Sequence, residues 1–565
     1  MSIDTPFVRI LFALSIGLSP VVSVAQPGPP PPAPNTALGL PSAPVENPLS
    51  EAKVTLGAIL FWDEQLSLTQ TVACGTCHRA FAGGADPRPA IDAAGNRHPG
   101  ADGQFGTADD VLGSAGFAAH DGQGLYTGDP RFGIRAQVGG RNGPSVVNSG
   151  FPSTLFWDGR AAGVLLDPET GNVLIGAGAA LENQALGPIV SSAEMARLGG
   201  TLADIEARIA TVEPLALATD IPAEWQRFIR GRSYAALFNE AFGSAVISAA
   251  RFAQAVASYE RTLNANQTPF DAEVSGTPSL TAQERAGRQV FNQAGCGRCH
   301  AGALFSDDRF HYIGVRPQNA DPGRFAVSGR NADRGAMRTP GLRNVELSAP
   351  YMADGRLATL EEVVAFYDRG GDFRAANLAP EMQPLNLTVQ QRADLVAFLK
   401  RPLTDSRAAA ESDPFARPTL YTESNRVPVV VANGRPGPLS TGVPAIAANE
   451  PPIAGGREFT VAVQAARPST TAWVVVAAGD PAALSRPQGN SLLGDQSFSI
   501  GSDGVGSINL DLTGISAGVN AELYLRVYIE EQPELGNAGY ALSPALRFSV
   551  FTIGSESRVF HGGFE

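Results

Sequence analysis

The 565-residue sequence predicts a mainly α-helical chain that ends in an all-β domain. Three observations lead to this fold class. Apolar residues recur at helical spacing in several stretches before about residue 403. A five-residue motif occurs twice within this helical part. Beyond residue 403 the helical spacing stops, and short stretches of alternating apolar and polar residues lie between Gly, Pro and Asp turns, which is typical of a β-sandwich.

The N-terminus reads as a secretory signal peptide, residues 1–25. An apolar run from Ile10 to Val24 ends in the small residues Ser23-Val24-Ala25, as a signal peptidase requires. A membrane anchor is the alternative, but Pro20 interrupts the run, which is short for a span. We expect an exported protein, periplasmic or secreted from a bacterium, with a Pro-rich linker at 26–46.

The repeated motif reads C-x-x-C-H, at Cys74-Gly75-Thr76-Cys77-His78 and at Cys296-Gly297-Arg298-Cys299-His300. This is the attachment signature of a c-type haem: two cysteines form thioethers to one porphyrin, and the following His binds its iron. The alternatives are a redox C-x-x-C or half a zinc site, but zinc needs four ligands in one place. The motifs use all four cysteines. We therefore predict two covalently bound haem c groups, attached through Cys74, Cys77, Cys296 and Cys299, with His78 and His300 on the irons.

Each motif lies in a region of helical character. The N-terminal haem domain is placed at 47–265, with a helix that opens near Ser50 and further helices over 201–265. Between them, residues 83–143 are rich in Gly, Asp and Pro and almost without periodicity. The C-terminal haem domain is placed at 266–403. It contains an amphipathic helix that leads into the second motif and two later helices, predicted at 281–291, 359–367 and 388–399.

The remaining chain is predicted as a linker, 404–430, and a β-sandwich domain, 431–565, with a short C-terminal tail. Alternating stretches predict five strands, at 458–463, 472–476, 507–512, 522–528 and 546–550. We assign this domain no catalytic chemistry and expect it to have a binding or spacer role.

A series of stretches then carries a resemblance to a known family, in the order Asn47–Val54, Gly140–Asn148, Phe156–Arg160, Leu186–Ile189, Phe305–His311, Thr339–Val345, Ala349–Gly355 and Thr359–Val363. From about residue 47 to 403, the chain resembles the bacterial dihaem cytochrome c peroxidases and their relatives of the MauG type. The resemblance implies two cytochrome c-like helical domains packed face to face.

The resemblance also implies an acid–base group at the first haem. Glu194 matches the catalytic Glu of the family's distal loop, and Gln184 matches a hydrogen-bonding residue of the same pocket. Peroxide cleavage needs a group that takes a proton from one oxygen and returns it to the other, and a carboxylate does this. The structural alternative is that Ser191 begins a helix and Glu194 only caps it.

Trp157 matches the tryptophan that the family places between its haems, where an oxidisable indole can relay electrons. The alternative is an ordinary core aromatic residue.

At the second haem, the resemblance points to Tyr367. Peroxidases of the family usually supply a Met, fourteen residues after a His; here these positions hold Tyr367 and Ala353. MauG-type relatives have Tyr at this place, and an anionic phenolate stabilises the oxidised iron. Met337 and Met352 are the alternatives.

The first haem shows a second departure from the family. Other members carry a displaceable distal His where this chain has Ile134, and the nearest His is His120 in the Gly-rich loop. An iron that is open in the resting state is therefore expected, as on the MauG side of the family.

Calcium between the haem domains is a further implication of the resemblance. The family binds it through an Asn side chain and backbone carbonyl groups, and the matching positions are Asn142, Ser348 and Pro350. His311 also matches a family position, where a hydrogen bond to a haem propionate is one role.

Together these features predict an exported dihaem oxidoreductase that uses H2O2 to oxidise an external electron donor. The donor is a small cytochrome or cupredoxin in a cytochrome c peroxidase, and a side chain of a partner protein in a MauG-like enzyme. The net charge of −13 argues against nucleic acid as a partner. The alternative is a non-catalytic dihaem electron-transfer protein with the β-sandwich as a docking module.

Overall fold

The computed structural model describes residues 36–440, 442–454, 459–464, 467–481, 491–515, 522–532, 534–535 and 539–553. The expected signal peptide, the first part of the Pro-rich linker and the last residues of the tail lie outside this part of the chain. Within it, no helix is both long and apolar enough to cross a bilayer.

Helices occur in every region in which the sequence predicts them. Their bounds are α1 Glu51–Trp62, α2 Cys74–Cys77, α3 Arg88–Ile91, α4 Ala180–Ala185, α5 Leu202–Thr211, α6 Ala223–Ile229, α7 Tyr234–Phe242, α8 Ala249–Glu260, α9 Pro269–Val274, α10 Ala282–Gln293, α11 Phe325–Ser328, α12 Leu360–Asp368, α13 Val389–Leu399 and α14 Ser406–Ala409. Of these, α2, α3, α4, α9, α11 and α14 are short additional helices that were not predicted.

The N-terminal haem domain is built on the crossing of α1 and α8. Helix α1 begins where expected, because the Ser50 hydroxyl accepts a hydrogen bond from the Lys53 amide. At the crossing, a Cβ atom on Gly57 would overlap the carbonyl oxygen of Ala255, so only glycine lets the two backbones approach this closely. Leu56 and Ile59 of α1 lie in one buried core together with residues of helices α5, α6, α7 and α8.

The C-terminal haem domain repeats this arrangement with α10 and α13. Thr281 and Glu284 form a reciprocal capping box at the start of α10. Gly287 of α10 lies against the backbone of Asp394 in α13, where a Cβ atom would again overlap a carbonyl oxygen. The core beside this crossing contains Phe291 and Phe398, whose ring centroids lie 5.5 Å apart.

The strands are concentrated after residue 428. Their bounds are β1 Arg97–His98, β2 Val111–Leu112, β3 Leu165–Leu166, β4 Val173–Ile175, β5 Phe310–His311, β6 Met337–Arg338, β7 Val429–Ala432, β8 Ala445–Ala447, β9 Phe459–Gln464, β10 Thr471–Ala477, β11 Gln496–Ser499, β12 Val505–Leu510, β13 Glu522–Glu530, β14 Tyr540–Leu542 and β15 Ala545–Ser549.

The C-terminal domain consists of two antiparallel sheets. One has the strand order β11-β10-β13-β15-β7, with β14 also paired to β13, and the other has the order β12-β9-β8. Strands from both sheets contribute to one apolar core, in which the rings of Phe459 and Phe548 lie 5.0 Å apart. All five predicted strands are present, as β9, β10, β12, β13 and β15, and β7, β8, β11 and β14 were not predicted from the sequence.

The segment predicted as a linker, 404–430, packs closely on the N-terminal haem domain. Phe415 and Leu420 are buried in the core of that domain. The backbone amides of Tyr421 and Thr422 donate to the buried Glu64 carboxylate at 2.6 and 3.3 Å. This segment is therefore a strap across the first domain, not an extended tether.

The prediction of a mainly α-helical chain is wrong. Only 29% of the chain is helical, while 16% is in strands. The helices cover the crossings that build each haem domain, but the chain between α3 and α4, which carries several of the candidate site residues, consists mostly of turns. The sheets of the C-terminal domain supply most of the strand content.

Candidate active site

The first C-x-x-C-H motif forms α2 and ends at His78. The His78 Nδ1 atom lies 3.1 Å from the Gly84 carbonyl oxygen, so Nδ1 carries the hydrogen and Nε2 keeps the lone pair that a metal requires. Burial lowers the pKa of this imidazole, which favours the neutral, ligating form. Gly75 packs directly on the ring of Trp62, where no larger residue fits.

The second motif forms a single 3₁₀ turn, Cys296–Arg298, followed by His300. The His300 Nδ1 atom lies 3.0 Å from the Phe305 carbonyl oxygen, and burial lowers the pKa of its imidazole as well. Both histidines are thus held in the same tautomer by a backbone carbonyl group. All four cysteines are free of disulfides, which leaves each sulfur available for a thioether.

A largely apolar cleft opens at the second motif. Cys296, Cys299 and His300 lie along one side of it, and Tyr367 lines it as well. A porphyrin is a large apolar disc that needs its attachment cysteines and axial ligands around one cavity, and this donor set fits that requirement.

All three candidate ligands for the second iron line this cleft, namely Tyr367, Met337 and Met352. Burial raises the pKa of the Tyr367 phenol, and the neighbouring cysteines add to the shift. A phenol in such a site loses its proton only to a strong cation, which a ferric iron would provide.

Glu194 lies in a loop of turns, residues 191–198, which we call the Glu194 loop. In the described chain no helix begins at Ser191, since the next helix starts at Leu202, so Glu194 does not cap a helix. The loop is anchored on both sides of Glu194. The Gln137 side chain donates to the Ser192 carbonyl oxygen at 2.7 Å, and the Leu68 amide donates to the Met195 carbonyl oxygen at 3.0 Å.

The Glu194 carboxyl group interacts electrostatically with the first motif. Desolvation by the surrounding protein raises the pKa of Glu194, although the positive charge of the Arg160 guanidinium opposes this shift. Burial is the main cause of the raised pKa values of Cys74 and Cys77, and the negative charge of Glu194 makes a smaller contribution to both. Glu194 is therefore within electrostatic range of the first motif. Its side chain is nevertheless exposed at the surface of the polypeptide and is not packed in the apolar core.

Gln184 lies in α4, half-buried, with its carbonyl oxygen accepting from the Gly187 amide at 3.0 Å. No hydrogen bond joins its side chain to Glu194 among the described residues.

Trp157 lies where the two haem domains meet. Its indole Nε1 donates to the Asn142 carbonyl oxygen at 2.7 Å, and its own carbonyl oxygen accepts from the Arg338 amide at 2.8 Å. It also lines the cleft of the second motif. Trp157 is thus half-buried at a domain boundary, not in a uniform hydrophobic core.

Asn142 has the surroundings of a cation ligand. Its Nδ2 atom lies 2.7 Å from the Pro350 carbonyl oxygen and 3.4 Å from that of Met352, while its Oδ1 atom is buried without a hydrogen-bond partner. Nitrogen and oxygen of an amide are assigned from such contacts, and the reverse orientation would direct three oxygens to one point. Ser348 lies two residues before Pro350 and bonds the Val345 carbonyl oxygen through its hydroxyl.

His311 lies beside the second motif. Its Nε2 atom is 2.8 Å from the Asp307 carboxylate, which raises the pKa of His311 to about 10, with Cys299 adding to the shift. These three side chains lie within 4.8 Å of one another. Because Cys299 belongs to the second C-x-x-C-H motif, we treat the cluster as part of that motif's site and not as a separate metal centre.

Arg141 is a connecting residue whose role the sequence did not indicate. It donates to Asp158 at 2.7 Å and, through two nitrogens, to Asp321 of the second haem domain at 2.8 and 2.7 Å. Its position between the Gly140 and Asn142 matches was the only sequence signal for it.

Glu260 was also missed. It is buried near Cys74, its Oε2 atom has no hydrogen-bond partner, and burial raises its pKa to about 8.

Ile134 and His120 both lie against the C-terminal domain. Ile134 is buried in a cluster with Ala462 and Val505 of the sheets. His120 is also buried, with its Nε2 atom 3.3 Å from the carboxylate of Glu450.

Comparison with known proteins agrees with this arrangement. The family model for di-haem cytochrome c peroxidase matches residues 51–279, and the model for cytochrome c matches residues 284–401. The methylamine utilization protein MauG of Methylorubrum extorquens is 31% identical over 361 residues, which are 63% of this chain and 80% of that protein. The chain belongs to the MauG and dihaem cytochrome c peroxidase family.

Two further relatives of this family are similar in extent. Cytochrome-c peroxidase IdrP1 of a Pseudomonas species is 28% identical over 69% of this chain and 90% of its own length. Cytochrome c551 peroxidase of Pseudomonas aeruginosa is 28% identical over 59% of this chain and 76% of its own length.

Membership in the family makes the protein a dihaem peroxidase-type oxidoreductase with two covalently bound haem c groups. It also implies hydrogen peroxide as the oxidant and a protein as electron donor or partner.

Proposed function

We propose that the protein is an exported, MauG-like enzyme that uses hydrogen peroxide to oxidise a side chain of a partner protein. The observation that carries this proposal is Tyr367 in the cleft of the second haem, where a cytochrome c peroxidase usually supplies a methionine. Ile134, at the position of the family's displaceable His, supports the same side of the family.

The chain would hold one haem through Cys74, Cys77 and His78 and the other through Cys296, Cys299 and His300. When bound, each haem supplies a redox-active iron that takes oxidising equivalents from peroxide. The chain's own residues control the protons. The Glu194 carboxylate takes a proton from one peroxide oxygen and returns it to the other, which leaves as water.

Tyr367 and Trp157 divide the electronic role. As a ligand of the second iron, the Tyr367 phenolate would be a hard, anionic donor, which would lower the potential of that iron and favour storing oxidising equivalents there. The Trp157 indole lies between the domains, with its Nε1 hydrogen bonded to Asn142, and this orients it for electron exchange.

Calcium is proposed at Asn142, with carbonyl oxygens of Pro350 and Ser348 and with water. The buried, unpartnered Asn142 Oδ1 atom supports this. Removal of the ion should loosen the junction of the haem domains, because Asn142 also accepts from Trp157. We expect one calcium per chain by isothermal titration after chelation, and no binding to Asn142→Ala. Retained binding in Asn142→Ala would reject the site.

The resting ferric protein tests the proposed function directly. Its EPR spectrum should contain one high-spin and one low-spin haem, and stoichiometric hydrogen peroxide should give a long-lived oxidised state. Two low-spin haems without a response to peroxide would reject both enzymatic interpretations and favour an electron-transfer protein. A response that decays only when a small cytochrome or cupredoxin is added would favour a cytochrome c peroxidase.

A further inference from the structure

The C-terminal domain contacts the segment of chain that supports the Glu194 loop. This segment, residues 113–138 of the N-terminal haem domain, is called the bridging loop below. It lies between the Glu194 loop on one side and the β12-β9-β8 sheet on the other.

On the side of the Glu194 loop, the contacts are made by backbone and by one buried amide. Besides the Gln137 bond to Ser192, the Leu198 amide donates to the His120 carbonyl oxygen at 3.1 Å. Gly116 lies flat against the same loop: an added Cβ atom would overlap the Ala193 carbonyl oxygen and lie 3.1 Å from the Glu194 Cα atom. The bridging loop therefore holds the Glu194 backbone before, at and after the carboxylate-bearing residue.

On the other side, the bridging loop is fixed to the β12-β9-β8 sheet and to the segment that follows β8. The Tyr126 amide donates to the Ser507 hydroxyl of β12 at 3.2 Å, and the Asn449 amide donates to the Tyr126 hydroxyl at 3.2 Å. Ile134 packs with Ala462 and Val505 in a shared apolar cluster.

A buried polar network joins the two parts. Glu450, in the segment after β8, lies with Oε1 3.3 Å from His120 Nε2, and its Oε2 accepts from the Tyr126 hydroxyl at 3.3 Å. Only 1% of the His120 side chain and 5% of the Glu450 side chain are exposed. Buried polar groups such as these depend on one another, because a lost partner leaves the other without water or a hydrogen bond.

The hydrogen-bond partners of His120 indicate which of its ring nitrogens carries a hydrogen. The His120 Nδ1 atom lies 2.7 Å from the Ala118 carbonyl oxygen, which can only accept, so Nδ1 carries a hydrogen. One further proton then lies between His120 Nε2 and Glu450 Oε1. A glutamine at position 450 could satisfy the same partners, because its amide nitrogen donates to Nε2 and its oxygen accepts from Tyr126.

We propose that the C-terminal domain positions the Glu194 loop, with Glu450 as the positioning residue that acts through His120 and the bridging loop. The relevance of this positioning to the reaction rests on the proposed function of Glu194; the mechanical coupling does not. The domain is then a fixed part of the first haem site and not a separate docking module.

Hydrogen–deuterium exchange of the haem-loaded, full-length protein tests the coupling. In Glu450→Ala, amide exchange in residues 113–138 and 191–198 should rise about tenfold, which corresponds to about 1.4 kcal/mol, while exchange in α10 and α13 stays unchanged. Glu450→Gln should retain wild-type exchange in both segments. The rate of reaction with peroxide should fall about tenfold in Glu450→Ala and be retained in Glu450→Gln.

Two more variants guard against simple misfolding. Tyr126→Phe removes one hydroxyl and should raise exchange in the same two segments by a smaller factor. Asp480→Ala breaks the ion pair with Arg526, at 2.6 Å within the C-terminal domain, and should leave exchange in residues 191–198 unchanged.

The proposal is overturned if exchange in residues 191–198 is unchanged in both Glu450→Ala and Tyr126→Phe, or if Asp480→Ala or Glu450→Gln raises it as much as Glu450→Ala. Failure of the proposed function would look different. In Glu194→Gln the peroxide reaction would then proceed at the wild-type rate, whatever the exchange data show for the coupling.

Discussion

Glu194 is the residue with the clearest chemical expectation. Replacement by glutamine removes the proton acceptor but keeps the size and loop position of the side chain. We expect Glu194→Gln to slow the reaction with hydrogen peroxide by about 10²- to 10⁴-fold, as is usual for loss of a general acid–base group. Stopped-flow absorbance of the haem bands measures this rate. Glu169→Gln, an exposed position in the β3–β4 turn, is the matched control and should react like wild type.

The same residue sets a pH dependence. The Glu194 pKa is raised by its surroundings, and only the ionised form can accept the peroxide proton. The rate should therefore fall as the pH decreases through this raised pKa, at a pH above the ordinary range of a glutamate. The acid limb should be absent from the residual rate of Glu194→Gln. A limb that persists unchanged in this variant would assign the titration to another group.

Tyr367 can be tested against its two alternatives in the same cleft. Tyr367→Met should raise the reduction potential of the second haem, because a thioether favours reduced iron and a phenolate favours oxidised iron. Spectroelectrochemical titration measures the potential. Met337→Leu and Met352→Leu should leave it unchanged. A change in one of these methionine variants, with none in Tyr367→Met, would identify that methionine as the ligand.

At the residue scale, the haem-attachment residues could be predicted from the chemistry of the C-x-x-C-H motif alone. The other candidate site residues were predicted only from the resemblance to a known family. The C-x-x-C-H spacing is local, so six residues follow from it without any fold. Glu194 lies in the Glu194 loop and Tyr367 near the end of α12, and their placement depends on contacts that spacing does not contain. The Asn142 Oδ1 atom without a partner is visible only in three dimensions.

The two helix crossings make a prediction for elements. Gly57→Ala and Gly287→Ala should each destabilise the protein by about 1–3 kcal/mol, because the added methyl group would push two helix backbones apart. Urea unfolding of the haem-loaded protein measures the change. Gly122→Ala is a suitable control, since a Cβ atom there meets nothing within 4 Å. Equal stability of all three variants would mean that the crossings can relax.

Helices were easier to predict than most other elements because their signals are local. Ser50, Thr281 and Thr388 each mark a helix start that the structure contains, and apolar spacing marks the buried faces. The two-residue pairs such as β1 with β2 have no such signal. The expectation of a mainly α-helical chain failed because the long turns of the haem domains also lack periodicity and so gave no measure of their extent.

Arg141 provides the test for the molecule as a whole. It joins Asp158 in the first haem domain to Asp321 in the second, with both pairs at 2.7 Å. Arg141→Ala would remove the guanidinium that joins Asp321 to Asp158, while Arg160 would still pair with Asp158, so we expect the free energy of unfolding to fall by about 1–3 kcal/mol. Calorimetry should then separate the unfolding of the two haem domains. Arg141→Lys keeps the positive charge but loses the two-nitrogen contact with Asp321. Its free energy of unfolding should therefore lie between those of the wild type and Arg141→Ala.

At the scale of the molecule, the sequence indicated a change of character along the chain but said little about how its parts meet. The change in composition near residue 403 predicted strands beyond it, and in the structure those strands begin at Val429, after the short helix α14. It could not indicate that Phe415 and Leu420 of the segment 404–430 are buried in the first haem domain, or that His120 meets Glu450 from 330 positions away. Contacts at such separations depend on the shapes of folded surfaces, which leave no periodic trace in either partner.

The strap at residues 404–430 has a consequence for the order in which the molecule is assembled. Ala408, Phe415 and Leu420 complete the core of the first haem domain, although the whole second haem domain precedes them in the chain. A polypeptide that emerges from its N-terminus thus cannot finish its first domain until more than four hundred residues have been made. Until then, α1 and its neighbours remain without part of their apolar cover. The haem domain that carries the Cys74 motif, although first in the chain, is therefore completed only after the chain of the second haem domain has been made.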